Sequence, residues 1–106
     1  MTSISVVMPV LAPTPFLRAM TEFAIKSLHV GATQDFEMIV CEAEHDHFRP
    51  DRFITTEKLW RIDKHLCFNP KIGGIRETNA GIDAASGEFI LLTGSDVIAP
   101  PAWDAE

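Results

Sequence analysis

Asn79-Ala80-Gly81-Ile82-Asp83-Ala84-Ala85-Ser86-Gly87-Glu88-Phe89-Ile90-Leu91-Leu92-Thr93-Gly94-Ser95-Asp96 reads as a helix, a glycine stop, a buried strand and a lone acid beyond the strand's end. Gly87 stands where the residue after a helix C-cap takes the left-handed conformation, which only glycine adopts without strain. Phe89 to Thr93 is a continuous apolar run too short for a helix, the pattern of a parallel strand covered on both faces. In open α/β sheets ligands bind just beyond the carboxyl ends of the strands, and Asp96 falls there.

Working outward, Ile4 to Val10 reads as a first strand, rich in β-branched residues, with Pro9 near its end where a missing donor is tolerated. Thr14 and Pro15 form a helix start, a cap followed by a first-turn proline. Phe16, Met20, Phe23, Ala24 and Leu28 recur at helical spacing as the apolar face of that helix, and Gly31 stops it. Glu37 to Glu42 is a second strand. An irregular stretch follows, with a turn at Arg49-Pro50-Asp51 and a short helix expected in Phe53 to Trp60. Leu66 to Phe68 is a third strand, Asn69-Pro70 and Gly73-Gly74 make a loop, and a helix from Ile75 to Ser86 leads into strand four. The alternation predicts an α/β fold with a mainly parallel sheet and right-handed crossovers, in one domain spanning 1–106.

The chain has 106 residues, 46% of them apolar, which suits a single small globular domain. A formal net charge of −6 argues against a bulk electrostatic grip on nucleic acid or acidic lipid. No apolar run approaches the roughly 18 residues a bilayer span requires. No basic segment precedes the first strand, so we expect no secretory signal and a cytoplasmic setting. Cys41 and Cys67 lie in apolar strand-like runs, as packed free thiols of a reducing compartment do.

Several of these residues carry a family resemblance. Asn79-Ala80-Gly81, Gly87-Glu88-Phe89-Ile90 and Gly94-Ser95-Asp96 resemble the central block of family 2 glycosyltransferases of the GT-A fold, R-N-x-G, A-x-G-E-Y-I and D-x-D. Ser5-Val6-Val7-Met8-Pro9-Val10-Leu11-Ala12 is similar to the family's first strand, and Phe36-Glu37-Met38-Ile39-Val40-Cys41-Glu42 to its second. Pro100, Pro101 and Trp103 resemble the segment after the D-x-D. The resemblance spans Ile4 to Trp103 and is weak from His45 to Leu66. It implies a Rossmann-like half-domain with strand order 3-2-1-4. The topology then switches between strands one and four, with Leu11 to Thr14 and Gly94 to Asp96 lining the crevice.

The resemblance also implies roles. Asp96 matches the last acid of the D-x-D, which holds Mn²⁺ or Mg²⁺ against a nucleotide diphosphate. A divalent cation suits that place because the departing diphosphate builds negative charge. Gly94 stands where the family has the first acid, and Val97 follows Asp96 where a further acid is usual. Taken by itself, Gly-Ser-Asp is also a common exposed turn. Glu42 matches the acid that accepts a hydrogen bond from the base, commonly uracil; a solvated strand-end carboxylate is the alternative. Pro9, Val10 and Leu11 match the strand end that packs on the base, with Leu11 in place of the usual tyrosine. Gly73 and Gly74 before a helix let backbone N–H groups approach a phosphate, or simply make a tight turn. Lys71 and Arg76 are the basic residues beside that loop, and Thr78 replaces the arginine of R-N-x-G. Ser95 completes the expected nucleotide site, and Asn79 is expected to lock its helix to neighbouring loops.

His45 and His47 share a face if extended and could chelate one ion, although no distant acid or histidine cluster completes such a set. No Ser-His-Asp or Cys-His arrangement supplies a nucleophile. In the family the general base and most acceptor contacts come from the second half of the domain, so no catalytic residue is expected here. Three functions follow. The first is the nucleotide-sugar-binding half of a glycosyltransferase, probing a UDP-sugar with a divalent metal for transfer to a hydroxyl acceptor. The second is a non-catalytic binding or assembly module that kept the sheet. The third is a metal hydrolase centred on His45 and His47. Strand four would have one edge without a partner, so self-association through it or through Val97 to Trp103 is expected.

Overall fold

Parallel strands buried on both faces need apolar side chains at successive positions, and Val6, Val7 and Met8 all have no exposed surface. They lie in β1 (Ile4–Val10) of a computed structural model that describes residues 4–10, 15–43, 61–68, 74–95 and 97–105. After β1 come α1 (Pro15–Gly31), β2 (Glu37–Ala43), β3 (Lys64–Phe68), α2 (Gly74–Ala84) and β4 (Phe89–Leu92). All strand pairs are parallel, in the order β3-β2-β1-β4. This is the fold class expected from the sequence and the strand order that the family resemblance implies. The Thr14 cap and the expected helix in 53–60 lie outside the described residues.

Registers explain one apparent anomaly. Pro9 sits in a central strand, paired across to Cys41 of β2. The β4 pairing ends at Val7↔Leu92, and the Thr93 N–H donates to the Val7 carbonyl at 3.1 Å. Odd-numbered residues of β1 therefore turn their backbone groups towards β4, and Pro9 lies past β4's last paired residue. Its missing donor costs no ladder bond.

Each sheet face has its own core. On one, Val6, Met8, Val10, Met38 and Val40 pack with Ala24, Ile25 and Leu28 of α1 and with Phe36. On the other, Val7, Ile39 and Cys41 pack with Leu66 and Ala85, beneath α2. The buried stripe of α1 is Thr21, Ala24, Ile25 and Leu28, not the expected face that included Phe16 and Phe23. Those two rings are 71% and 59% exposed. Periodicity misassigned them because α1 is apolar on two sides, and the side with the smaller residues Thr21 and Ala24 is the one that is buried. Thr21 satisfies its hydroxyl by donating to the Leu17 carbonyl at 2.9 Å.

Other boundaries shift for local reasons. β3 begins at Lys64 rather than Leu66, because Lys64 and His65 make polar contacts that let them sit within a strand. α2 ends at Ala84 rather than Ser86, since the Ser86 N–H and hydroxyl donate to Glu37 at 2.9 and 3.0 Å. Gly87 is not in the left-handed region, contrary to the helix-stop expectation; it is a point of close approach. A Cβ there would stand 2.5 Å from Ser5 Oγ and 2.8 Å from the Ser5 nitrogen. β4 is exposed along its whole length instead of covered on both faces, with Phe89 at 65% and Leu92 at 54%. Beyond it, 97–105 returns along α1. The Ala99 N–H donates to Ser27 Oγ, Trp103 Nε1 donates to the Leu28 carbonyl, and the indole meets the Phe36 ring edge-on at 5.3 Å. Among the described residues no helix is long and apolar enough to cross a membrane.

Candidate functional site

An all-parallel sheet ordered β3-β2-β1-β4 reverses its winding between β1 and β4, and this opens a crevice at the carboxyl ends of the strands. Val10 closes β1 there and is buried, while Pro9 beside it is partly exposed. Beyond β4, Thr93, Gly94 and Ser95 are half-buried, and the Val97 N–H donates to the Gly94 carbonyl at 3.3 Å. Asp96 itself, Leu11 and Gly73 lie outside the described residues, as do Lys71 and the histidines at 45 and 47.

α2 starts at Gly74, on the side of the sheet where β3 ends, so its N-terminus belongs to the same rim. Arg76 follows in the first turn and is exposed; Thr78 is half-buried and Asn79 exposed. Gly81 serves packing. A Cβ on it would stand 2.5 Å from Cys41 Sγ and 2.6 Å from Val7 Cγ1, so glycine lets α2 lie directly on β1 and β2. Burial and the neighbouring Glu77 charge push the Cys41 thiol up to about 11, against a weaker opposing hydrogen bond from Gly81, which makes it a packed thiol and not a nucleophile.

Glu42 at the end of β2 is fully buried, which overturns the solvated-carboxylate alternative. Its Oε1 lies 2.6 Å from His65 Nε2. Sequence reading missed His65, because nothing in Lys64-His65-Leu66 marks it. Only the register Val40↔His65, with Glu42↔Cys67 next, places it beside Glu42 on one sheet face. Among the described residues no three His, Cys, Asp or Glu side chains converge to hold a metal ion.

A second polar cluster lies at the opposite end of the sheet. Glu37 accepts from Ser5 Oγ at 2.7 Å and from Ser86, and pairs with Lys64 Nζ at 3.0 Å; Lys64 also donates to the Ala84 carbonyl. The Gly87 N–H donates to Ser5 Oγ at 2.8 Å. Burial acts to raise the Glu37 carboxyl, but these hydrogen bonds outweigh it and hold the group at about 2. The cluster ties the end of α2 to β1, β2 and β3, away from the crevice. A cavity of about 470 Å³ among the described residues lies away from the crevice. It is lined by Ile4, Phe89, Ile90, Leu91 and Trp103, and is the open space beside exposed β4.

Comparison with known proteins gives a fold. The chain superposes on the crystal structure of Staphylococcus aureus TarS residues 1–349 with a TM-score of 0.68 and 18% identity. That match covers 90% of this chain and 28% of the TarS chain. A second TarS crystal structure matches with a TM-score of 0.63 and 18% identity, over 90% of this chain and 17% of that one. TarS is a family 2 glycosyltransferase, and the likeness shows a GT-A-like glycosyltransferase fold. No protein-family model matches the sequence. No curated protein matches it either.

Proposed function

We propose that this chain is the nucleotide-sugar-binding half of a GT-A glycosyltransferase, which binds the donor for glycosyl transfer to a hydroxyl acceptor. The observation that carries the reading is the crevice between β1 and β4, rimmed by the end of β1, the Gly94–Val97 turn and the start of α2. The TarS likeness supports the fold, and the sequence motifs support the ligand. Gly74 and the following amides offer a helix N-terminus to a diphosphate, with Arg76 close by in the chain. Pro9, partly exposed, offers apolar surface to a base, with the buried Val10 packed behind it. Glu42 reads that base, with uracil favoured; because it is fully buried and held by His65, this contact requires the groups above it to part.

The described residues contain no ready-made metal cage, so a divalent ion would be held by Asp96 together with the donor's own phosphates. Mg²⁺ is commonly bound in this way, through one or two carboxylates plus substrate oxygens, and Mn²⁺ fits the same oxygen donors. Bound there, the ion would offset charge on the leaving diphosphate.

Titration calorimetry with a UDP-sugar, with and without Mn²⁺, tests the reading. Wild type is expected to bind only with the metal, and Asp96→Asn to lose the metal dependence while its circular dichroism stays unchanged. Absence of nucleotide binding overturns the proposal, and unchanged metal dependence in Asp96→Asn removes Asp96 as the ligand.

A further inference from the structure

The outer side of α1 carries a second apolar stripe. Phe16, Met20, Phe23, Ser27 and Val30 follow one another at intervals of four, three, four and three residues, the 3.5-residue repeat of a helix-to-helix seam. Phe16 is 71% exposed, Phe23 59% and Val30 66%. Large apolar side chains grouped on a solvent face mark a contact surface, here interrupted by the half-buried Ser27, whose hydroxyl accepts from the Ala99 N–H. Phe16 and Val30, the two ends of the seam, each lie seven residues from Phe23, roughly 10.5 Å along the axis.

This equal spacing of the two ends, together with the charges beside the seam, selects the occupant. We propose that α1 pairs antiparallel with α1 of a second copy about a two-fold axis at Phe23. Each Phe16 then stands at the level of the partner's groove, an apolar cleft of about 220 Å³ lined by Phe23, Lys26, Val30, Gly31, Ala99 and Pro101. Knob and groove lie on the same helix, so one two-fold operation fills both grooves and closes the assembly as an isologous dimer. Charge agrees with the arrangement. Glu22 lies one residue before the axis and Lys26 three after it. Antiparallel pairing therefore puts Glu22 of one copy within about 3 Å, along the axis, of Lys26 of the other, close enough for long side chains to meet. The segment 97–105 supplies the groove's far wall, anchored by the Ala99 bond to Ser27 and the Ala102 N–H bond to the Gly31 carbonyl. The seam is only about 21 Å long, so the interface belongs to the small, weak class.

Sedimentation equilibrium of the 106-residue chain, from about 5 to 500 μM, is the test suited to such an interface. The expected result is a concentration-dependent dimer, weakened at least about tenfold by Phe23→Glu and by Phe16→Ala. Glu22→Lys should weaken it as well, and the double exchange Glu22→Lys with Lys26→Glu should restore it. These side chains lie outside the core, so melting curves should match wild type; if Phe23→Glu does not fold, the charge exchange alone decides. A chain that stays monomeric throughout overturns the proposal. So does an association that ignores these changes and is dispersed by Phe89→Lys on β4.

Discussion

Glu37 and Glu42, two acids in one strand, show how place decides what a carboxylate does. Glu37 has a carboxyl held at about 2, below the ordinary 4.5, by hydrogen bonds from Ser86, Ser5 and Lys64 that outweigh its burial. A depressed value means that the unfolded chain binds the proton more readily, so this contribution is complete above about pH 4.5 and lost as pH falls towards 2. The shift amounts to about 3 kcal/mol, of which about 2 kcal/mol is gone at pH 3. Urea melts at pH 6 and pH 3 should therefore show a larger acid loss in wild type than in Glu37→Gln; equal losses would show that the cluster contributes nothing. Glu42 is predicted to act on a ligand. Glu42→Ala should lose about 1–3 kcal/mol of affinity for the preferred nucleotide, the cost of leaving a polar partner unpaired. A loss equal across bases, measured by titration, would leave Glu42 only its structural pairing with His65.

At the scale of elements, α2 meets the sheet through a missing side chain. Alanine is the better helix former by about 1 kcal/mol, so Gly81→Ala would stabilise a free helix. Here the added methyl would collide with Cys41 Sγ and Val7 Cγ1, and overpacking of this kind costs about 1–3 kcal/mol. Gly81→Ala is expected to be destabilising on balance, and Cys41→Ala in the same chain to recover part of the loss. Chemical denaturation of the two single variants and the double variant measures that coupling. If Gly81→Ala raises the midpoint, the helix does not rest on the sheet as closely as described. The same comparison shows what a motif can conceal: Gly81 and Gly87 were legible as family positions, yet both answer to contact distances and not to positive φ.

For the whole molecule, the exposed strand β4 matters most. Among the described residues it pairs with β1 alone, and its four side chains are all exposed. In TarS the matched region is 28% of a longer chain, and we propose that further strands of the same fold would add at this edge. Two results are expected of the 106-residue chain. Its β4 amides should exchange hydrogen faster than those of β2, and radiolabelled donor should give no sugar transfer to any hydroxyl acceptor. Measurable turnover would sink the half-domain reading outright, whereas slow β4 exchange would show that the edge is already covered.

Sequence alone determined the succession of strand and helix and the parallel sheet, and the family resemblance it carries implied the strand order that the structure has. The elements follow from local signals, namely β-branched runs, helical periodicity and glycine and proline punctuation, whereas the order came from the resemblance of the motif residues. Sequence did not determine which side of α1 faces the sheet, because apolar residues lie on both sides and only packing in the folded chain buries the side of Thr21 and Ala24. Nor did it reveal the pairing of Glu42 with His65, 23 residues apart, or the gathering of Ser5, Glu37, Lys64 and Ser86 into one cluster. Such partners are set by strand register and by the closure of the chain on itself, and a residue carries no mark of its neighbour across a sheet until the sheet exists.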